Sequence, residues 1–285
     1  MIYKLLFLLV FSLQAKEYTY KKIEDNNHII HVVYLPPNSY TPRIVKAEKG
    51  RETVSSIADR YGSKIAINGG FFNSDGSPSF TLIIDGNVYK KGNTNQPLLV
   101  IDSGKISIIN DNPTGIYNKT ISILSGIPLL VKDGEVVEHS RESDFYVGRH
   151  ARTAIGIDKN NTIIVVVVEH YYLRDHNKIT LAELNELLQK NRKNVSNMTY
   201  LDIQKFVKDY CTDSNKTQGL TIKELSLFMK NLGCNVAINL DGGGSSTLWI
   251  NGKIINEVIG DKDESNGNKV ERPVSDALLF NEKIK

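Results

Sequence analysis

The sequence predicts an α+β fold: a mixed, sheet-rich single domain in which a helix–strand unit delivers a Gly-rich loop, with a helical insertion. Two patterns lead to this prediction. Short runs of β-branched residues, joined by turn pairs such as Asp85-Gly86 and Asp133-Gly134, fill most of the first two thirds of the chain. Apolar residues then recur at helical spacing between residues 181 and 232. A chain of 285 residues is long enough to bury the core of one large domain.

The predicted strands are short apolar runs that end at turn residues or prolines. The run IIVVVV at 163–168 has no polar alternation, which predicts a strand buried on both faces. The predicted strands cover residues 29–35, 64–67, 81–84, 97–101, 105–109, 121–123, 153–157, 162–168, 236–240, 246–250, 253–258 and 274–280.

Helices are predicted at residues 53–61, 181–192, 200–210 and 221–232 from the spacing of apolar residues. The last begins with a capping-box pattern, because Glu224 follows Thr221 by three residues, and Gly233 provides its C-terminal stop. We expect residues 172–218 to form a helical insertion.

The N-terminus resembles a secretory signal. Lys4 precedes an apolar core at residues 5–13, and Ala15 is a small residue suited to cleavage. The segment is shorter than the roughly 20 apolar residues of a membrane span, and no later segment is long and apolar enough to span a bilayer. We therefore predict a signal peptide at 1–15, a mature domain at 16–285 and a secreted, periplasmic or secretory-pathway location. A buried N-terminal strand is the alternative.

Charge and cysteine content restrict the partners. The net charge is +3, from 35 basic and 32 acidic residues, and no dense basic stripe occurs, which argues against a nucleic-acid partner. The two cysteines, Cys211 and Cys234, could form a disulfide after export, but two buried thiols are equally compatible with the sequence.

A polar loop before the last predicted helix partly matches a calcium-binding loop. Oxygen-bearing side chains occupy its first, third, fifth and twelfth positions, but Gln218 stands where the sharp turn requires glycine. We predict no cofactor and no metal at the functional site, and we keep calcium as an alternative at Asp213, Asn215, Thr217 and Glu224.

Two glycine motifs are the main functional signal. AINGG at 66–70 and AINLDGGG at 237–244 are both short apolar strands that lead to an Asn and then to glycines. Side by side, they would form a floor of main-chain amides from which Asn68, Asn239 and Asp241 project. Such a floor suits sugar hydroxyls or phosphate oxygens, although two tight turns would give the same pattern. No lysine precedes the serines as in a P-loop, and no Gly-x-Ser-x-Gly motif occurs.

Four segments resemble the phosphodiester glycosidase family: AINGGFF, RTAIGID at 152–158, the stretch from GLTIKEL to LWING at 219–252, and ERPVSDALLF at 271–280. They occur in family order, whereas residues 172–218 depart from the pattern. The family cleaves the bond between the anomeric carbon of a sugar and a phosphodiester oxygen. The resemblance implies a hydrolase that releases a free sugar, such as N-acetylglucosamine, from a sugar-phosphate or glycan substrate. A non-catalytic carbohydrate- or cell-wall-binding module on the same fold is the alternative.

The resemblance also implies roles for individual residues. Arg152 and Arg272 would bind the phosphate, unless either pairs with a structural acid. Asp241 would stabilise positive charge at the anomeric carbon or act as nucleophile or base, unless it only caps a turn. Asn68 and Asn239 would hold sugar hydroxyls.

The remaining predicted site residues bind substrate or support a second acid. Ser245, Ser246 and Thr247 would bind phosphate oxygens or cap the loop. Glu271 and Asp276 are candidates for a second acid, with a structural role favoured for Asp276. The glycines expected to bring main-chain amides to the substrate are Gly69, Gly70, Gly242 and Gly243.

Overall fold

The computed structural model describes residues 17–24, 28–92, 96–110, 121–170, 181–190, 193–212, 218–262 and 269–283. The predicted signal peptide therefore lies outside the described residues. Within these ranges the chain folds into three large antiparallel sheets and one two-stranded hairpin, with helices on the outer faces of two sheets. This is the predicted sheet-rich α+β fold.

The first sheet has seven strands in the order β1-β2-β13-β12-β14-β10-β11, and all neighbours are antiparallel. Strand β13, which lies between β2 and β12, is buried throughout, as the apolar run predicts. In chain order the strands are β1 (Thr19–Glu24), β2 (Ile29–Leu35), β10 (Leu129–Lys132), β11 (Glu135–Val136), β12 (Arg152–Asp158), β13 (Ile163–Val168) and β14 (Cys234–Asn239).

The second sheet has the order β16-β15-β4-β19-β3 and is also antiparallel. The strand predicted at 253–258 is shorter than expected, because the chain turns at Asn256, whose side chain bonds the main chain of Ser246 and Leu248. The strands are β3 (Tyr40–Lys46), β4 (Ile65–Asn68), β15 (Leu248–Ile250), β16 (Lys253–Ile254) and β19 (Asp276–Glu282).

The third sheet, in the order β6-β5-β9-β7-β8, and a separate hairpin complete the β structure. The turn pairs Asp85-Gly86 and Asp133-Gly134 join consecutive strands and have positive φ angles, as their sequence predicts. The strands are β5 (Leu82–Ile84), β6 (Asn87–Lys90), β7 (Leu98–Asp102), β8 (Lys105–Ile109) and β9 (Ser122–Ser125), with β17 (Asp261–Lys262) and β18 (Lys269–Val270) in the hairpin.

Four of the five helices in the described ranges occur where apolar spacing predicts them, whereas the short helix at Asp144–Val147 was not predicted. The fifth has the predicted capping box, in which Thr221 and Glu224 each bond the other's main-chain N–H. The helices are α1 (Val54–Arg60), a short α2 (Asp144–Val147), α3 (Leu181–Lys190), α4 (Tyr200–Thr212) and α5 (Ile222–Asn231).

The core is layered. The main apolar cluster lies between the sheets and includes Ile67 and Leu278 of the second sheet, Val165 and Ile238 of the first, and Leu124 of the third. Helix α5 packs on the other face of the first sheet, and α1 packs on the other face of the second. These layers hold the ends of β4 and β14 together.

Two further predictions concern the insertion and the cysteines. Helices α3 and α4 lie within the predicted insertion. Cys234 is a buried free thiol whose pKa is raised by burial to about 12.

Among the described residues, no helix is long and apolar enough to cross a membrane.

Candidate active site

An open cavity of about 360 Å³ lies where the two glycine motifs meet. Four of its residues carry charge, two arginines and two aspartates, so it is a polar site. The lining residues are Arg51, Phe72, Asn73, Ser74, Asp241, Ser245, Asp261 and Arg272.

Asp241 enters this cavity from the loop after β14, and its main chain is fixed on both sides. Its N–H donates to the carbonyl of Gly69 at 3.2 Å, and its own carbonyl accepts from Asn68 Nδ2 at 2.7 Å. The two glycine motifs are therefore directly bonded to each other, which confirms the expectation that they lie side by side.

The Asp241 carboxyl has a shifted pKa. Burial raises it to about 6, while the hydrogen bond from the N–H of Gly242 and the charge of Arg272 act in the opposite direction. The Gly242 bond is 2.9 Å long and reaches Oδ1. At neutral pH Asp241 is therefore an ionised carboxylate with a proton affinity well above that of an exposed aspartate.

Arg272 lies directly on the glycine loop. A Cβ added to Gly244 would stand 2.3 Å from Arg272 Cζ, so a larger residue there would displace this guanidinium. Arg272 Nε donates to Asp261 Oδ1 at 2.7 Å, which orients the side chain. The prediction that Arg272 lies beside Asp241 is therefore correct, although its guanidinium also forms an ion pair with Asp261.

Arg51 is the second cavity arginine, and it was not among the predicted site residues. It is exposed and follows Gly50 in the connection between β3 and α1. Its guanidinium has no hydrogen-bond or ion-pair partner within the described part of the chain. An unpaired arginine beside a carboxylate is well placed to receive an anionic ligand.

The three hydroxyl residues after the glycines are all buried. Ser245 lines the cavity beside the Asp241 carboxylate. None of the three hydroxyls has a hydrogen-bond partner among the described residues. Of the three, the structure therefore brings Ser245 to the cavity and keeps the other two behind it.

Asn68 and Asn239 do not project into the cavity as expected, because both are buried and bonded to protein groups. Asn68 Oδ1 accepts from Thr153 Oγ1 at 2.8 Å and from the N–H of Thr247 at 3.2 Å. Asn239 Nδ2 donates to the carbonyls of Ile127 and Leu240, both at 2.7 Å. These contacts give both residues the role of fixing the loops.

Arg152 also differs from its predicted role in phosphate binding. Its side chain is buried, with 2% of the residue exposed. Nε donates to the carbonyl of Leu220 at 2.9 Å, and Nη2 donates to those of Phe145 at 2.8 Å and Gly148 at 3.1 Å. The guanidinium also lies over the Phe145 ring. Arg152 therefore holds α2 and the segment before α5 against β12.

The predicted glycines are required by close packing rather than by exposure of their amides. A Cβ on Gly69 would stand 2.0 Å from Asp276 Oδ1, and one on Gly242 would stand 2.7 Å from the carbonyl oxygen of Ala151. Gly70 and Gly243 likewise donate their N–H groups within the protein, to Asp276 Oδ1 and to the carbonyl of Ala151.

The two candidates for a second acid lie away from the cavity lining. Glu271 accepts from the N–H of Ser55 at 3.0 Å and from its hydroxyl, which places it at the N-terminus of α1. Asp276 is buried at the start of β19. Glu271 is thus engaged in helix capping, and Asp276 bonds the glycine turn.

The phosphodiester glycosidase family profile matches residues 61–202 and 210–281, which is most of the chain. The chain belongs to the phosphodiester glycosidase family. The two matched parts include both glycine motifs, Arg272 and Asp241, whereas Arg51 lies before the first part.

Among curated proteins, this family member is 24% identical over 227 residues to the mouse N-acetylglucosamine-1-phosphodiester alpha-N-acetylglucosaminidase, covering 73% of the chain and 36% of the mouse protein. It is 33% identical over 114 residues to an uncharacterised protein of Rickettsia conorii, covering 39% of each. A prophage-derived protein of Bacillus subtilis, YomE, is 27% identical over 81% of the chain and 30% of its own length. The chain thus spans well under half the length of these relatives.

Solved structures show the same fold. The catalytic domain of the zebrafish N-acetylglucosamine-1-phosphodiester alpha-N-acetylglucosaminidase, auto-inhibited by its pro-peptide, superposes with a TM-score of 0.63 at 19% identity, covering 94% of this chain and 83% of that one. A hypothetical protein from Synechocystis gives 0.59 at 15% identity, with coverages of 93% and 62%. A candidate exported protein from Burkholderia pseudomallei gives 0.55 at 15% identity, with coverages of 89% and 74%.

In this member of the phosphodiester glycosidase family, sequence reasoning missed several cavity residues. Asn73 and Ser74 follow AINGGFF directly, and their polar turn composition was an available signal. Arg51 and Asp261 carry no local signal, because separate connections bring them to the cavity.

The calcium alternative is not tested by the structure, because three of its four residues lie outside the described ranges. Glu224 is engaged by the α5 cap and by an ion pair with Arg149. Asp213, Asn215 and Thr217 lie outside the described residues. Within the described ranges, no group of three or more His, Cys, Asp or Glu side chains is arranged to hold a metal ion.

Proposed function

We propose that this protein hydrolyses a sugar-1-phosphodiester at the bond between C1 and oxygen, releasing a free sugar such as N-acetylglucosamine and a phosphomonoester. One observation carries the proposal: a single cavity holds the Asp241 carboxylate together with Arg51 and Arg272. Such a substrate presents a negative phosphodiester next to a carbon that becomes positive in the transition state, and the cavity offers charges for both. Family membership supports the same chemistry.

The phosphodiester would bind to the two arginines. Arg51 has no partner among the described residues, and a guanidinium binds phosphate oxygens with two parallel hydrogen bonds. Arg272 is oriented by Asp261 and by its packing on Gly244, so its position is fixed before substrate arrives. Together they would place C1 over the loop that carries Asp241.

Asp241 would act on C1. As the C1–O bond breaks, its electron pair leaves with the phosphate oxygen, and the carboxylate stabilises the positive charge on the sugar or forms a covalent bond with it. Water then supplies the new oxygen at C1. Because a phosphomonoester is a fair leaving group, the reaction has less need for a second carboxyl as general acid. The proposed mechanism therefore assigns no residue to that role.

The test uses the chain lacking residues 1–15, an α-N-acetylglucosaminyl phosphodiester and a UDP-sugar, in water labelled with oxygen-18. Free sugar carrying the label supports C–O cleavage, whereas label in the phosphate would assign a P–O phosphodiesterase and overturn the proposal. Asp241→Asn serves as the inactive control, with folding verified by circular dichroism. Parallel reactions with EDTA test the expectation that no metal is needed.

Binding of the sugar phosphodiester without turnover by the wild-type protein would favour the non-catalytic carbohydrate-binding alternative. Isothermal titration calorimetry with the same substrates measures this directly.

We further propose that the protein is exported by the signal at residues 1–15. The apolar segment behind Lys4 supports this, as does the likeness to a candidate exported protein. N-terminal sequencing of the protein recovered from its native cell would show a start near residue 16, and a start at Met1 would contradict it.

A further inference from the structure

We infer that Asp276 is a positioning residue for Asp241 and acts on it through Gly69. This inference rests on the proposed function of Asp241. It concerns a buried carboxyl that the mechanism above does not use.

The main chain of Gly69 joins the two aspartates. Its N–H donates to the carbonyl of Asp276 at 2.9 Å, and its carbonyl accepts from the N–H of Asp241 at 3.2 Å. A shift of the Asp276 main chain is therefore transmitted to Asp241 through a single residue.

The Asp276 side chain also binds the turn formed by Gly69 and Gly70. Its Oδ1 accepts from the N–H of Gly70 at 2.8 Å. The carboxylate packs so closely under Gly69 that a Cβ there would stand 2.0 Å from Oδ1. Asp276 thus binds two consecutive glycines, one through its carbonyl and one through its carboxylate.

Asp276 cannot itself touch a substrate in the cavity, because it is 1% exposed. It lies at the start of β19, where its neighbour Ala277 pairs with Asn68. Asn68 in turn bonds the carbonyl of Asp241. Both hydrogen-bonded groups of the Asp241 main chain therefore depend on the β4 end that Asp276 supports.

The two carboxyls also interact through their charges. Burial, together with a smaller contribution from the negative charge of Asp241, raises the pKa of Asp276 to about 6. The hydrogen bond from the N–H of Gly70 and the charge of Lys46, which pairs with Asp276 from β3, act in the opposite direction. The pKa of Asp276 therefore responds to the charge of Asp241.

The first test compares Asp276→Ala with Asp276→Asn. Asn keeps an acceptor for Gly70, whereas Ala removes it. We expect Asp276→Ala to lower kcat about 100-fold with KM changed much less, because a displacement of about 1 Å at a catalytic group has an effect of this size. We expect Asp276→Asn to recover most of the lost kcat. The matched control is Asp133→Asn, an exposed turn residue remote from the glycine motifs in sequence.

Unchanged kcat in a folded Asp276→Ala protein would overturn the inference. So would an equal loss of kcat in the Asn and Ala variants, because retention of the Gly70 acceptor would then have no value.

The second test does not depend on activity, and it decides the matter if Asp276→Ala fails to fold or if no substrate is hydrolysed. Carbon-13 NMR of labelled aspartate carboxyls follows the titration of Asp276 in the wild-type protein and in Asp241→Asn. Removal of the Asp241 charge should shift the Asp276 titration to lower pH. An unchanged midpoint would show that the two groups are not coupled and would overturn the inference. Absence of hydrolysis with a shifted midpoint would refute the proposed function while leaving the coupled pair intact.

Discussion

The side-chain amide of Asn68 donates a 2.7 Å hydrogen bond to the main-chain carbonyl of Asp241, so the first glycine motif holds the second. This contact joins the end of β4 in the second sheet to the end of β14 in the first. The sequence reasoning assigned Asn68 to the substrate, but its bonds to Thr153, Thr247 and Asp241 engage both its oxygen and its nitrogen. The position of the Asp241 carboxylate therefore depends on an asparagine that is buried.

Replacement of Asn68 by Ala should reduce both stability and activity. Buried partners left without a hydrogen bond cost about 1–3 kcal/mol each, so we expect the free energy of unfolding to fall by roughly 2–4 kcal/mol. Urea denaturation measures this, and kcat/KM should fall in parallel because the Asp241 loop loses its anchor. Asn87→Ala, at an exposed strand position, is the control. A stable variant in which only KM is increased would instead show that Asn68 binds the substrate.

Replacement of Arg51 by Ala should raise KM for a sugar phosphodiester about tenfold or more, because a charge-assisted contact to the phosphate contributes about 1.5–3 kcal/mol. Thermal unfolding should be unchanged, since the Arg51 guanidinium has no partner among the described residues. Lys49→Ala removes an exposed cation two residues away and should leave KM unchanged. Equal effects of the two variants would indicate a general charge effect and contradict a specific contact.

Replacement of Arg152 by Lys separates a structural role from a phosphate-binding role. A lysine cannot reproduce the fork that reaches the carbonyls of Leu220, Phe145 and Gly148. We expect a loss of about 2–4 kcal/mol in the free energy of unfolding, from buried carbonyls left without donors. Denaturant unfolding gives the value. Wild-type stability together with a raised KM would instead show that Arg152 binds the phosphate of the substrate.

The pH dependence of activity should reflect Asp241. Burial raises its pKa to about 6, and the proposed mechanism requires the ionised form. The value of kcat/KM should therefore be constant above this pH and fall about tenfold per unit below it. A profile measured on a phosphodiester whose own charge does not change in this range tests the point. A profile that is flat down to about pH 4 would show that no group with this pKa has to be ionised.

Asp241→Asn should make the protein more stable at neutral pH while abolishing turnover. The pKa of Asp241 is higher in the folded protein than the roughly 3.9 of an unfolded chain, so its contribution to stability is greatest at low pH and is lost as pH rises through about 6. Removal of this buried charge should add about 3 kcal/mol to the free energy of unfolding at about pH 7.5 and about 0.5 kcal/mol near pH 4. Thermal unfolding at both pH values provides the comparison. Equal effects at the two pH values would show that ionisation is not the cause.

Local patterns predicted most of the elements. The alternation and composition of 29–35 and 105–109 predict two strands that the structure has with the same bounds, and Thr221 and Glu224 predict the cap of α5. Hairpin turns at Asp85-Gly86 and Asp133-Gly134 follow from residues that tolerate positive φ. Each of these features depends on neighbours within a few residues, and a single sequence contains that information.

The roles of the polar residues could not be obtained in this way. Arg152 and Arg272 have equal chemistry and lie in similar motifs, yet the first is buried against main-chain carbonyls and the second lines the cavity. Arg51 lies in no motif, and only the packing of the β3–α1 connection beside the glycine loops brings it to Asp241. Whether a guanidinium binds the protein or a ligand depends on which carbonyls remain unpaired nearby, and that is settled by long-range packing.

The sequence by itself determined the α+β class, the two glycine motifs and Asp241 as the acid between them, because strand ends, turns and glycine requirements are local. Only the tertiary structure decided that Asn68 and Asn239 support the loops, that Arg51 replaces Arg152 at the cavity, and that Asp276 lies beneath Gly69. The reason is physical: hydrogen bonds and charges act between atoms a few ångströms apart, and segments as distant in the chain as Gly69 and Asp276 come that close only when the sheets pack.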